Sequence, residues 1–165
     1  MKVLGIDPGT EHAGYGLVED QEGQWQALEW GVISAPRSKS IQERLQIIHK
    51  GLEAIVKRTR PQALAVEEAF YAQNVKTALR LGEARGVVLL LAAQRGLALA
   101  EYSPRSVKQA VTGNGAADKL QVQRMVKALL RMEQDLLSFH ASDALAIAVC
   151  HLSAGRFSSL TKKKR

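Results

Sequence analysis

Asp7 closes the apolar run Val3-Leu4-Gly5-Ile6 and is followed at once by Pro8-Gly9-Thr10. A carboxylate there keeps its stem in a core and its head at a strand's edge, and Gly9 leaves room for a ligand or phosphate to approach the backbone. Glu67 and Glu68 follow a second buried-strand pattern, Leu64-Ala65-Val66. Side chains alternate along a strand, so only one of that pair can join Asp7. His140 and Asp143 stand just before the apolar run Ala144 to Val149 and share one face near a helix N-terminus. Each also has a plainer reading: an aspartate that caps a turn, a solvated strand-end glutamate, an acid that caps a helix.

If these groups converge, their chemistry is specific. Clustered carboxylates repel, which drives one of them to take up a proton. A divalent cation relieves that repulsion. Mg²⁺ or Mn²⁺ held by carboxylates binds a phosphodiester and activates water, and two ions about 3.5–4 Å apart stabilise both the attacking and the leaving oxygens. Oxygen donors suit Mg²⁺, and one imidazole among them shifts the preference toward Mn²⁺.

The elements that must position these residues can be read from periodicity. Val3 to Ile6, Gly14 to Glu19 and Trp25 to Ser34 read as strands, with polar turns such as Gln21-Glu22-Gly23 between them. Ser40 opens a helix with Glu43 at capping-box spacing, and Ile41, Leu45, Ile48, Leu52 and Ile55 lay one apolar stripe along it until Pro61. Residues 63–66 read as a buried strand, 74–94 as a second helix and 97–102 as a fifth strand. Helical patterns at 104–111, 118–132 and 141–153 complete the chain. Early strands joined by short turns must be antiparallel neighbours, whereas later strands separated by helices favour parallel crossovers. The expected class is therefore α/β, a mixed five-stranded sheet flanked by helices on both faces. That order of elements is the order of the ribonuclease-H-like fold.

Composition fits one soluble globular unit of 165 residues, 46% hydrophobic and 24% charged. Residues 1–155 read as a single domain and 156–165 as a basic, flexible tail. The net charge is +7, with 23 basic and 16 acidic residues; without Lys162-Lys163-Lys164-Arg165 the balance is 19 against 16. Such a tail suits a polyanionic partner, or serves only as a solubilising terminus. Cys150 is the only cysteine, which rules out an intrachain disulfide and permits a reducing compartment. Asp7 stands where a signal peptide would need its apolar stretch, and the longest apolar run, Val87 to Ala93, is too short to span a bilayer. The expectation is a cytoplasmic protein with no membrane contact.

Four segments in order resemble bacterial RuvC-type Holliday-junction resolvases. They are Gly5-Ile6-Asp7-Pro8-Gly9-Thr10 with Gly14-Tyr15-Gly16, Ala65-Val66-Glu67 with Phe70, Leu81-Gly82-Glu83-Ala84-Arg85-Gly86, and Asp143-Ala144-Leu145-Ala146-Ile147-Ala148. The resemblance covers residues 1–153. It implies a metal-dependent endonuclease that resolves Holliday junctions by paired symmetric nicks in recombination and repair. It also implies a catalytic and metal-binding quartet of Asp7, Glu67, His140 and Asp143, which selects Glu67 over Glu68. The cofactor implied is Mg²⁺ or Mn²⁺, two per site, with Mn²⁺ favoured because His140 stands where many members carry aspartate.

The same resemblance bears on DNA contacts. Phe70 matches the family position that inserts near the branch point, with Tyr71 beside it, and stacking on an unpaired base is worth about 1–3 kcal/mol. Lys76, Arg80 and Arg85 are candidates for phosphate contact, and Lys108 and Lys119 flank Gly113-Asn114-Gly115 at positions the family links to DNA binding or catalysis. Ala78, Gly82, Gly86 and Ala93 form a strip of small residues that packs either on the chain's own sheet or on a partner. The resemblance implies the latter, a homodimer on four-way junction DNA, supplied by a branch-migration helicase complex. His12, His49 and His151 form no metal-ligand spacing with Cys150 and receive no role. Two other readings compete. A nucleotide-binding protein of the actin and sugar-kinase type needs a second glycine-rich phosphate motif, which is not visible, and a non-enzymatic DNA-binding protein would leave the acids without purpose.

Overall fold

Five strands, β1 (Lys2–Asp7), β2 (His12–Gln21), β3 (Gln24–Ser34), β4 (Ala63–Glu67) and β5 (Ala98–Tyr102), form one sheet in the order β3-β2-β1-β4-β5. The structure is a computed structural model that describes residues 1–68, 75–136 and 138–162. As expected, β1–β2 and β2–β3 pair antiparallel, while β1–β4 and β4–β5 pair parallel. The β2–β3 connection turns on Glu22 and Gly23, with φ of 49° and 96°. Two consecutive left-handed residues are what a two-residue hairpin turn needs to match the twist of its strands.

The helices are α1 (Ile41–Thr59), α2 (Val75–Arg95), α3 (Pro104–Thr112), α4 (Lys119–Leu129) and α5 (Phe139–Lys162). The capping box of α1 forms: the Glu43 amide donates to Ser40 Oγ at 3.3 Å, and the Ser40 amide donates to the Glu43 carboxylate at 2.9 Å. α4 starts with the same device, built from Asp118 and Gln121. α4 ends earlier than its periodicity suggests, because Arg131 takes a left-handed φ of 50°. α5 instead runs to Lys162, into the stretch expected as a tail. No proline follows Pro104, and Gly155 alone costs a helix only about 1 kcal/mol.

Alternation along the strands divides the core into two layers. Leu4, Ile6, Leu64 and Val66 join Leu52, Val88 and Leu91 of α1 and α2 on one face. Val3 and Ala65 join Val107, Val126, Leu145 and Ile147 of α3, α4 and α5 on the other. The parity of that alternation assigns Asp7 and Glu67 to the α5 face. α5 lies directly on the strands because two glycines make room for it. A Cβ on Gly5 would stand 2.0 Å from the Ala144 carbonyl oxygen, and one on Gly14 would stand 2.0 Å from that of His140.

Candidate active site

Ile6 pairs with Val66 across the parallel β1–β4 ladder, so Asp7 and Glu67 leave the sheet at the same edge. α5 brings His140 and Asp143 to that edge in its first turns. All four side chains line one cavity of about 430 Å³, together with Lys108 of α3, Lys119 of α4 and the apolar Leu81, Val107 and Val122. Glu68, one position on, is exposed and does not line it. The choice between the two glutamates that alternation left open thus has a geometric answer.

Two internal contacts hold the acids. His140 Nδ1 and Asp7 Oδ2 are 2.7 Å apart, and Lys119 Nζ stands 3.7 Å from Asp143 Oδ2. Burial, reinforced by the charges of Asp7 and Asp143, pushes the Glu67 carboxyl up to about 7. Burial and then Asp7 also raise Asp143. The hydrogen bond to Asp7 raises His140 above the ordinary imidazole value, against a smaller opposing effect of burial. Protons and a lysine therefore occupy a cluster whose charges do not tolerate one another.

That electrostatic strain is the test of whether a divalent cation suits these residues. Three carboxylates and an imidazole are hard-to-borderline donors, and a cation would offset both the burial and the neighbouring charges that raise Glu67. Among the described residues no three His, Cys, Asp or Glu side chains stand close enough to enclose an ion. The donors fit in kind and location, and their closure would require Asp7 to exchange His140, and Asp143 to exchange Lys119, for the ion.

The other expected residues divide. Lys108 and Lys119 line the cavity. Arg80 pairs with Glu83 at 3.0 Å, and Arg85 donates to Glu101 at 2.9 Å, so both guanidinium groups are engaged within the protein. Lys76 is exposed near the start of α2. Phe70 and Tyr71 lie outside the described residues. Gly9 has a reason other than a ligand: a Cβ there would meet the His12 carbonyl oxygen at 2.2 Å, so the turn's own backbone requires glycine. Sequence reasoning gave His12 no role, yet its ring lies 5.8 Å from that of His140. Only the antiparallel β1–β2 pairing could have signalled it. Asp135, a further acid near α5, pairs with Lys127 at 2.6 Å and does not line the cavity.

The protein is thus a ribonuclease-H-like α/β protein with an acid- and lysine-lined site at the edge of its sheet. The family model described as crossover junction endodeoxyribonuclease RuvC matches residues 3–151. A relative of that name from Moorella thermoacetica is 52% identical over 153 residues, 93% of this chain and 92% of its own length. Another from Heliobacterium modesticaldum is 51% identical over 91% of this chain and 93% of its own. Among solved structures, T. thermophilus RuvC in complex with Holliday junction substrate aligns with a TM-score of 0.90 at 36% identity, covering 96% of both chains. The chain belongs to the RuvC family of crossover junction endodeoxyribonucleases, as its sequence motifs implied. The nucleotide-binding and non-enzymatic readings fall with that assignment.

Proposed function

We propose that the cavity is the active site of a Holliday-junction resolvase, and that Asp7, Glu67, His140 and Asp143 hold the divalent ions on which nucleases of this family depend. One observation carries the reading. Three carboxylates and an imidazole from β1, β4 and α5 converge on one cavity beside two lysines, where burial and then the charges of Asp7 and Asp143 raise Glu67 to about 7. Such a cluster is useless for binding a phosphodiester until cations cancel its charge. When bound, two Mg²⁺ or Mn²⁺ ions supply Lewis acidity and a water activated for in-line attack. Mn²⁺ is the better fit because His140 contributes nitrogen.

The chain's own residues do the rest. Glu67 and His140 must give up their protons before they can act as ligands. Lys119, released from Asp143, meets the negative charge of the cleaved strand, with Lys108 beside it on the cavity wall. Phe70 and Tyr71 offer stacking near the branch point, and Lys76 and Arg80 offer phosphate contacts farther out. Two copies related by a two-fold axis would nick opposed strands of a four-way junction symmetrically.

The exposed face of α2 supports such a pairing. Val75, Leu79 and Leu90 are 76%, 63% and 53% exposed, and a Cβ on Gly82 or Gly86 would meet nothing within 4 Å. Family membership adds a branch-migration helicase complex as supplier of the junction and the cytoplasm as the setting. No helix among the described residues is long and apolar enough to cross a membrane. Residues 1–155 would form the nuclease domain, with 156–165 as a basic tail that adds non-specific DNA affinity. The deciding experiment compares cleavage of a mobile four-way junction, a linear duplex and an RNA–DNA hybrid with each metal. Selective, paired cutting of the junction supports the proposal; preferential cutting of the hybrid overturns it in favour of a ribonuclease.

A further inference from the structure

Phe139 opens α5 immediately before His140, yet it belongs to neither hydrophobic core and does not line the cavity. Its surface is 42% exposed, an unusual position for a large ring at the end of a helix whose residues 144–150 are all buried. Lys119 Nζ stands 5.9 Å from the ring centroid, within cation–π reach, and the same ammonium is 3.7 Å from Asp143. One lysine therefore links an exposed aromatic face to an acid of the site. A single-stranded stretch alternates phosphates and bases, and this pair offers a cation for the first and a flat ring for the second.

We propose that Phe139 is a substrate-positioning residue whose ring stacks on a base next to the scissile phosphate while Lys119 meets the strand's charge. The inference rests on the resolvase reading given above. Stacking of this kind tolerates any sequence, because every base has a π face. The ring is well suited to it: two χ angles leave little freedom to lose, and its backbone is fixed by the same helix that carries His140 and Asp143. Holding the neighbouring base would fix where the phosphate sits relative to the acids, which is the kind of alignment that governs rate. The resemblance that flagged Phe70 gave no hint of Phe139, whose signal is its exposure.

The test uses the full chain and a four-way junction with 2-aminopurine at the nucleotide flanking the scissile phosphate. Ca²⁺ replaces Mg²⁺ so that the strand stays whole. Binding of the wild type should quench the fluorophore, Phe139→Trp should quench it at least as strongly, and Phe139→Leu, which keeps apolar bulk without a π face, should not. With Mn²⁺, Phe139→Leu should lower single-turnover cleavage about 5- to 150-fold, the factor that corresponds to one lost base stack. Junction affinity should fall less, and the melting temperature should hold. Equal quenching by wild type and Phe139→Leu, or normal cleavage by the latter, would overturn the inference. A destabilised Phe139→Leu together with loss of quenching in Phe139→Trp would do so too, marking the ring as structural. A wild type that quenches but never cuts junctions would instead refute the resolvase reading.

Discussion

His140 Nδ1 and Asp7 Oδ2 lie 2.7 Å apart, joining the first strand to the last helix across 133 positions of chain. The contact has two consequences that pull against each other. It fixes the imidazole over the acid cluster, and it favours a proton on that imidazole. Metal ligation needs the opposite, a neutral ring and an unshared carboxylate. Protons and cations should therefore compete for one set of groups, and the competition is measurable.

Glu67 makes the first case. Its folded value, about 7, lies above the ordinary 4.5, so between those values the folded chain keeps a proton that the unfolded chain has lost. This contribution to stability is complete below the unfolded value and is lost as pH rises through about 7. Glu67→Gln should therefore melt higher than the wild type at pH ~8 without divalent ions, and near it at pH ~5. Allowing for partial exposure, the gain is about 1–2 kcal/mol, or about 3–6 °C. Mn²⁺ should stabilise the wild type more at the higher pH and stabilise the variant little. Scanning calorimetry with chelator and with Mn²⁺ reads all of this; pH-independent differences would mean that Glu67 does not carry the strain.

Removing a ligand's charge should stop catalysis without stopping recognition. Asp7→Asn, Glu67→Gln and Asp143→Asn should each reduce junction cleavage more than about 100-fold, since even partners one shell further out cost 10–100-fold. Junction affinity in Ca²⁺ or in chelator should hold or rise, because each change removes negative charge beside a phosphate. Glu68→Gln, outside the cavity, should cut normally. A dead Glu68→Gln beside an active Glu67→Gln would show that the wrong acid faces the metal.

Why some of this could be read from the chain and some could not follows from the range of each interaction. Strand alternation and turn spacing are local, so the mixed sheet, the two-sided core and the strand-end positions of Asp7 and Glu67 were legible. The capping box at Ser40 and Glu43 is local as well. The seat of α5 is not. It depends on Gly5 meeting Ala144 and Gly14 meeting His140, contacts between residues more than a hundred positions apart, and nothing near Gly5 distinguishes a helix seat from a turn or phosphate site. The same gap hid His12, brought to His140 by strand pairing. Arg85 looked like a phosphate contact because Glu101, its partner, lies on another element.

The outer strip of α2 tests assembly. Gly86→Leu places a bulky side chain where an added Cβ meets nothing within the protomer. Replacing a mid-helix glycine should stabilise an isolated protomer by up to about 1 kcal/mol. A loss of dimer by sedimentation, with an unchanged or higher melting temperature, therefore points to a partner surface and not to misfolding. The weakened dimer should release singly nicked junctions where the wild type releases resolved duplexes. Complete resolution by a monomer at working concentration would refute the dimer.

The sharpest prediction concerns the metal itself. The family resemblance implies aspartate where this chain has His140, and imidazole differs from carboxylate in two respects. It is softer, so Mn²⁺ should outperform Mg²⁺ at equal concentration. It must also be neutral to bind, and here its proton is held by Asp7 above the ordinary 6.5. Metal affinity and cleavage should therefore weaken as pH falls through about 7, where Glu67 takes up its proton, with His140's held proton adding to the loss. His140→Asp removes the imidazole's share of that competition. It should keep activity, raise the Mg²⁺ to Mn²⁺ rate ratio, and reduce the number of protons released on binding metal near neutral pH. The acidic limb should move only partway, because Glu67 still titrates and a third negative charge beside it opposes its ionisation. Cleavage rate against pH and metal concentration, together with proton release by calorimetry in buffers of different ionisation enthalpy, distinguishes the two proteins. Identical metal ratios and proton counts would mean that His140 is not a ligand, leaving it to orient Asp7 alone.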